Sequence, residues 1–185
     1  TLFYNQKNPK TLRSEAVYKH NINAPDQENV LVYEEADKTY SVYVSASKSR
    51  KYIFISSQST TTSEHRFISS DSPNEVFKVI QPRTKGLEYD VEHFGDHFYL
   101  HTNHNQATNF KIMRTPISQT ELSFWEPLLD HREEVLIEDF ELFDKYWVVN
   151  ERENGLSRLR VMRWDQSEDY YLPMEEETYA LYISY

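Results

Sequence analysis

One design recurs in this chain at intervals of 46 and 48 residues, counted from Tyr52 to Phe98 and from Phe98 to Tyr146. The three copies are Ser49-Arg50-Lys51-Tyr52-Ile53-Phe54-Ile55, Gly95-Asp96-His97-Phe98-Tyr99-Leu100 and Asp144-Lys145-Tyr146-Trp147-Val148-Val149. Each is a polar turn that opens into an aromatic, β-rich strand, and an apolar or aromatic strand precedes each one. A period of that size built from short strands is the signature of β-propeller blades. The fold expected is all-β, with blades of four antiparallel strands. Fourteen Tyr, ten Phe and three Trp suit such pleated, packed surfaces.

Turn chemistry divides the chain into units at about 1–35, 40–81, 87–129, 135–173 and 178–185, the first and last partial. The first holds strands at Leu2–Asn5, Val17–Ile22 and Val30–Glu35, the last two separated by Ala24-Pro25-Asp26. The second holds Tyr40–Ser45, Tyr52–Ser57, Glu64–Ile68 and Val76–Ile80, with Asp71-Ser72-Pro73-Asn74 as its last turn. The third holds Leu87–Phe94, His97–Thr102, Asn109–Arg114 and Phe124–Leu128. The fourth holds Leu136–Phe143, Lys145–Asn150, Ser157–Trp164 and Asp169–Leu172, and Thr178–Tyr185 begins another. Asn154-Gly155 is a strong hairpin signal, because both central residues of a type I′ turn need positive φ. The alternation Arg158-Leu159-Arg160-Val161 fits a half-exposed strand. Tyr52–Ile55 and Tyr146–Val149 lack a polar face, as expected of strands covered on both sides by neighbouring blades. Glu133–Phe143 can be forced into a helical pattern, but its neighbours argue for a strand.

The chemistry missing from the sequence is as informative. Only Gly86, Gly95 and Gly155 are present, too far apart for a phosphate-cradling loop, a dinucleotide fingerprint or a nucleophile elbow. No catalytic, cofactor-binding or metal-binding residue is therefore assigned, and no cofactor is expected. Without cysteine there is no disulfide framework or thiolate site, and a cytoplasmic location is the expectation. No apolar run approaches the roughly 18 residues of a membrane span, and no leader is visible. The net charge of −10 argues against nucleic acid as a partner.

His93, His97, His101 and His104 cluster around one hairpin, with Asp96 among them. Imidazoles at this density do hold zinc or copper. His97 and His101, four apart on a strand, stand about 13 Å apart, too far for one metal, whereas His93 is placed to face His101 across the turn. Hydrogen-bonded or surface histidines are the expectation. Glu133-Glu134 and Glu175-Glu176-Glu177 read as solvated connections. Trp125, Trp147 and Trp164 read as packing between blades rather than as a sugar platform.

An ordered series of short segments carries a resemblance. It runs through Val30-Leu31-Val32-Tyr33-Glu34-Glu35-Ala36-Asp37, Ser47–Tyr52, Thr62-Ser63-Glu64, Gln81-Pro82-Arg83, Glu88–His93, Thr102-Asn103, Asn109-Phe110-Lys111 and Glu151-Arg152 with Gly155-Leu156. In that order, over about positions 1–165, the chain resembles the propeller of the oligopeptidase B (protease II) group in the prolyl oligopeptidase family of serine peptidases. The resemblance implies a parent with an α/β-hydrolase domain carrying a Ser-Asp-His triad, which cleaves short peptides after Arg or Lys. The propeller then gates and size-filters access to the triad. None of the triad roles maps onto a residue here, so the chain alone is expected to be inactive.

Thr1 stands where a Met would begin a protein and Leu2-Phe3-Tyr4 already reads as strand, so the chain is expected to be part of something larger. Its end strands leave three outcomes open: a small closed ring, a strand-exchanged dimer, or an open arc. The competing reading is a stand-alone β-propeller or β-sandwich that binds a protein or sugar, since propellers host both roles.

Overall fold

The computed structural model describes residues 1–24, 28–174, 181 and 183. They form fifteen strands in four antiparallel sheets. The first sheet has β1 (Leu2–Lys7), β2 (Ser14–His20) and β3 (Val30–Glu34), in the order β1-β2-β3. The second has β4 (Ser41–Ala46), β5 (Tyr52–Gln58), β6 (Ser63–Ser69) and β7 (Lys78–Val79). The third has β8 (Tyr89–Phe94), β9 (His97–Thr102), β10 (Lys111–Pro116) and β11 (Glu126–Leu129). The fourth has β12 (Val135–Leu142), β13 (Tyr146–Glu153), β14 (Leu156–Arg163) and β15 (Asp169–Tyr171). Every sheet is a simple meander, as the repeat requires.

The apolar mass lies in the seams between sheets, so alternate residues of one strand serve opposite neighbours. On β5, Phe54 enters the seam with the third sheet while Ile55 packs with Val17 and Val42 in the seam with the first. On β9, Phe98 and Leu100 face the second sheet and Tyr99 faces the fourth. This is why these strands carry no polar face. Phe98 meets the rings of Tyr52, Phe54 and Phe67 at centroid distances of 5.3, 5.6 and 4.8 Å, all edge-on. Burying an aromatic or branched side chain of this kind contributes about 1.5–3 kcal/mol, so the seams carry most of the fold's stability.

Trp125 and Trp147 lie in the two larger seams, and Trp164 stacks on Phe94 at 5.1 Å and 8°. Asn154 and Gly155 form the expected turn, with φ of 50° and 83°. Glu133–Phe143 resolves into the strand β12, whose register shifts between Ile137 and Asp139. That bulge lets Glu138 and Asp139 both point away from the seam and restores Phe140 and Leu142 to it.

Two segments differ from the sequence reading. The strand expected at Val76–Ile80 shrinks to Lys78–Val79, because the Glu75 amide is spent in a turn on the Ser72 carbonyl, and Val76 is 85% exposed. Phe124 ends a 3₁₀ turn at Leu122–Phe124, and β11 starts after it. The buried Trp125 indole donates to the Thr120 carbonyl at 2.8 Å, which favours the compact turn over extension. The expected Pro25-Asp26 turn, the Glu175–Glu177 run and the Thr178–Tyr185 strand fall outside the described residues or, at Leu181 and Ile183, in no strand.

Candidate functional site

The first strands of the second, third and fourth sheets form one wall. Lys48, in the turn after β4, donates its amide to Glu92 Oε1 on β8 at 3.1 Å. Its ammonium pairs with Glu141 Oε1 on β12 at 2.5 Å and lies 3.7 Å from the centroid of the Phe143 ring. A side chain of the second sheet reaches the fourth only where sheets converge, so β4, β8 and β12 are the inner strands. Antiparallel meanders then place the turns 47–51, 95–96 and 143–145 at one end of the wall and the connections between sheets at the other.

Asp90 and Glu92 stand on the face of β8 that looks toward the fourth sheet, and Glu138, Asp139 and Glu141 on the face of β12 away from the seam. Asp90 accepts from Gln58 Nε2 at 2.9 Å and Glu138 pairs with Arg152 at 2.7 Å. Burial, reinforced by the neighbouring Glu141 charge, pushes the Glu92 carboxyl above the usual carboxylate range, despite bonds from the His93 and Lys48 amides. Next to this end lies a cavity of about 630 Å³ lined by Lys48, Ser49, Lys51, His93, Phe143 and Lys145, among others.

The histidines join sheets. A carbonyl can only accept, so the ring nitrogen that faces one carries the proton. His65 Nε2 donates to the Tyr89 carbonyl at 2.6 Å, and its Nδ1 accepts from the Ser56 hydroxyl at 2.9 Å. His93 Nε2 donates to the Gly95 carbonyl at 3.0 Å, and its Nδ1 accepts from the Ser49 hydroxyl at 2.7 Å, across the second seam. His101 Nε2 donates to the Ile137 carbonyl at 2.8 Å, across the third, and its ring stacks on Phe110. Burial pushes all three below the ordinary histidine range, which keeps them neutral.

Register places His93 opposite Phe98 and His101 opposite Asp90, so His93 does not face His101 as the sequence spacing suggested. His97 instead bonds the exposed Asp96 at 2.6 Å, and His104 lies in the loop after β9. Among the described residues no group of three or more potential ligands is placed to hold a metal ion. Ser56, His65 and Asp90 superficially suggest a triad. His65 is 2% exposed, and its Nε2 proton goes to a carbonyl while Asp90 stands off at 3.8 Å, so the set acts as a tie between sheets.

At the opposite end of the wall a network joins the first two sheets. Arg83 pairs with Glu35, donates to the Tyr33 hydroxyl at 3.2 Å, and stacks over the Tyr40 ring at 4.0 Å. Its amide donates to Glu64 Oε2 at 3.1 Å. Burial raises the Glu35 carboxyl, but bonds from Arg83, the Asp37 amide and Tyr33 outweigh it and hold the group at about 2. A second network surrounds Glu151, which is 1% exposed and takes Arg132 and the Tyr171 hydroxyl. Sequence reading did not single out Lys48, Glu92, Glu141 or Arg83 as a site. The available signal was a carboxylate in phase with buried apolar residues of its strand, as at Glu151 on the face of Trp147 and Val149.

The chain matches the family described as prolyl oligopeptidase, N-terminal beta-propeller domain, over residues 1–184. It is 41% identical over 184 residues to dipeptidyl aminopeptidase BI of Pseudoxanthomonas mexicana, covering 100% of this chain and 25% of that protein. It is 30% identical over 171 residues to protease 2 of Moraxella lacunata, covering 88% of this chain and 24% of that protein. Among solved structures, oligopeptidase B from Leishmania major matches with a TM-score of 0.86 at 30% identity, covering 95% of this chain and 26% of that one. The chain therefore belongs to the N-terminal β-propeller domain of the prolyl oligopeptidase family, whose members are serine peptidases. It spans about a quarter of the length of these relatives, in which the propeller accompanies a catalytic hydrolase domain.

Proposed function

We propose that the chain is the non-catalytic propeller portion of a cytoplasmic serine oligopeptidase that cleaves short peptides after Arg or Lys, and that its propeller gates and size-filters their access. The observation that carries this reading is the run of carboxylates on β8 and β12, Asp90 and Asp139 being exposed. Exposed carboxylates on the inner strands raise the local concentration of cationic substrates. The lack of cysteine suits a reducing compartment. Family membership favours this reading over a stand-alone binding module. The 41% identity to a dipeptidyl aminopeptidase favours a second substrate reading, removal of dipeptides from a free amino terminus.

The test uses the full-length parent with matched peptides: an arginyl peptide with free or blocked amino terminus, a neutral analogue, and a long polypeptide. Cleavage after arginine whether or not the terminus is blocked, with the long chain spared, supports the first reading. Dipeptide release that stops on blocking supports the second. The isolated chain is expected to be inactive. Light scattering on it decides between a monomer and a strand-exchanged dimer.

A further inference from the structure

Lys48 bridges sheets that are not neighbours. Its side chain leaves the turn after β4, passes the end of β8 and pairs with Glu141 on β12, 93 residues away, while its amide holds Glu92. Among the described residues it is the ion pair that joins non-adjacent sheets. The two side chains are only 24% and 12% exposed, and the ammonium rests on the Phe143 ring, so salt screens the pair less than a surface one. Any widening of this end of the wall separates β4 from β12 and must break the pair. Glu138 and Arg152 both lie within the fourth sheet, so their pair resists no such movement.

We propose that Lys48 is the specificity-determining latch of the size filter: its bond to Glu141 fixes the width of the channel mouth at the turn end, and releasing it admits longer peptides. This rests on the size-filter reading above. Lys48 acts by positioning the inner strands and touches no reacting atom.

The test compares the full-length parent with its Lys48→Met, Lys48→Arg and Glu141→Gln variants on a short and a long peptide that share one cleavage site. The Lys48→Met change is expected to raise the long-to-short ratio of kcat/KM about tenfold, the factor that ~1.4 kcal/mol represents. Lys48→Arg stays near the wild-type ratio. Glu141→Gln, which leaves the lysine stem on Phe143, carries the same test if Lys48→Met does not fold. Amide exchange at 47–51 and 143–145 is expected to quicken in both. Faster exchange with an unchanged ratio overturns the latch while the filter stands. A wild-type parent that cuts both peptides equally removes the filter itself, and the latch with it.

Discussion

Ser63 and Tyr89 hold each other twice across the seam between the second and third sheets. The Ser63 hydroxyl donates to the Tyr89 carbonyl and accepts from the Tyr89 amide, both at 2.7 Å. The Tyr89 hydroxyl in turn donates to the Gln81 carbonyl at 2.7 Å and accepts from the His65 amide at 2.9 Å. Neighbouring sheets of a propeller share no continuous ladder, so inner-strand backbone groups at a seam need side-chain partners. Asn5 does the same for β4, donating to the Val42 carbonyl at 2.9 Å and accepting from the Val44 amide at 3.1 Å.

Replacing Ser63 by Ala removes both bonds and leaves a buried amide without its partner. The expected cost is about 1–3 kcal/mol. Urea unfolding of wild type and variant measures it, and a change below a few tenths contradicts the double tie.

Arg83→Met strands the buried Glu35 carboxylate at the junction of the first two sheets. Removing one partner of such a pair costs about 3–5 kcal/mol when both are deeply buried, and less here because Arg83 is a quarter exposed. Arg83→Met together with Glu35→Gln should recover part of the loss in the same measurement. Equal losses in the single and double variants would argue against the pairing.

Acid should weaken the protein through His65, His93 and His101. Each is held neutral in the fold, below the ordinary 6.5, chiefly by burial. Their contribution is complete above pH 6.5 and declines as pH falls below it toward their folded values, because the unfolded chain then binds protons the folded one refuses. Each histidine contributes a slope of up to about 1.4 kcal/mol per pH unit there. Glu35 acts later: held at about 2 against an ordinary 4.5, its stabilisation is lost only as pH falls from 4.5 toward 2. Urea midpoints measured from pH 8 to 5 should fall below 6.5, and less steeply in His101→Gln.

Gly155→Ala isolates a backbone effect. A Cβ there meets nothing within 4 Å, so the whole penalty comes from φ of +83°. About 1–2 kcal/mol is expected. Circular-dichroism melts of the variant test it, and Asn154→Asp, which tolerates the left-handed region, should melt close to wild type.

The strand order, the four-strand units and the Asn154-Gly155 hairpin were legible because each depends on neighbours in sequence. The candidate site was legible only as a silence: the sequence showed that phosphate loops and a nucleophile elbow were absent. The histidines were visible as a cluster, but their partners were not. His97 and His101 share β9, yet one bonds Asp96 in the adjacent turn and the other a carbonyl of β12.

Sequence alone determined that this chain is a repeated β-meander of the propeller kind, through its period, its two-faced apolar strands and its turn residues. Those are properties of pleat and turn, which act over a few residues. Only the tertiary structure decided that Lys48 meets Glu141, that Arg83 meets Glu35, and that each buried histidine ties one sheet to another or closes on a carbonyl near a seam. Such pairs depend on the angle and depth at which whole sheets pack, which no local pattern records.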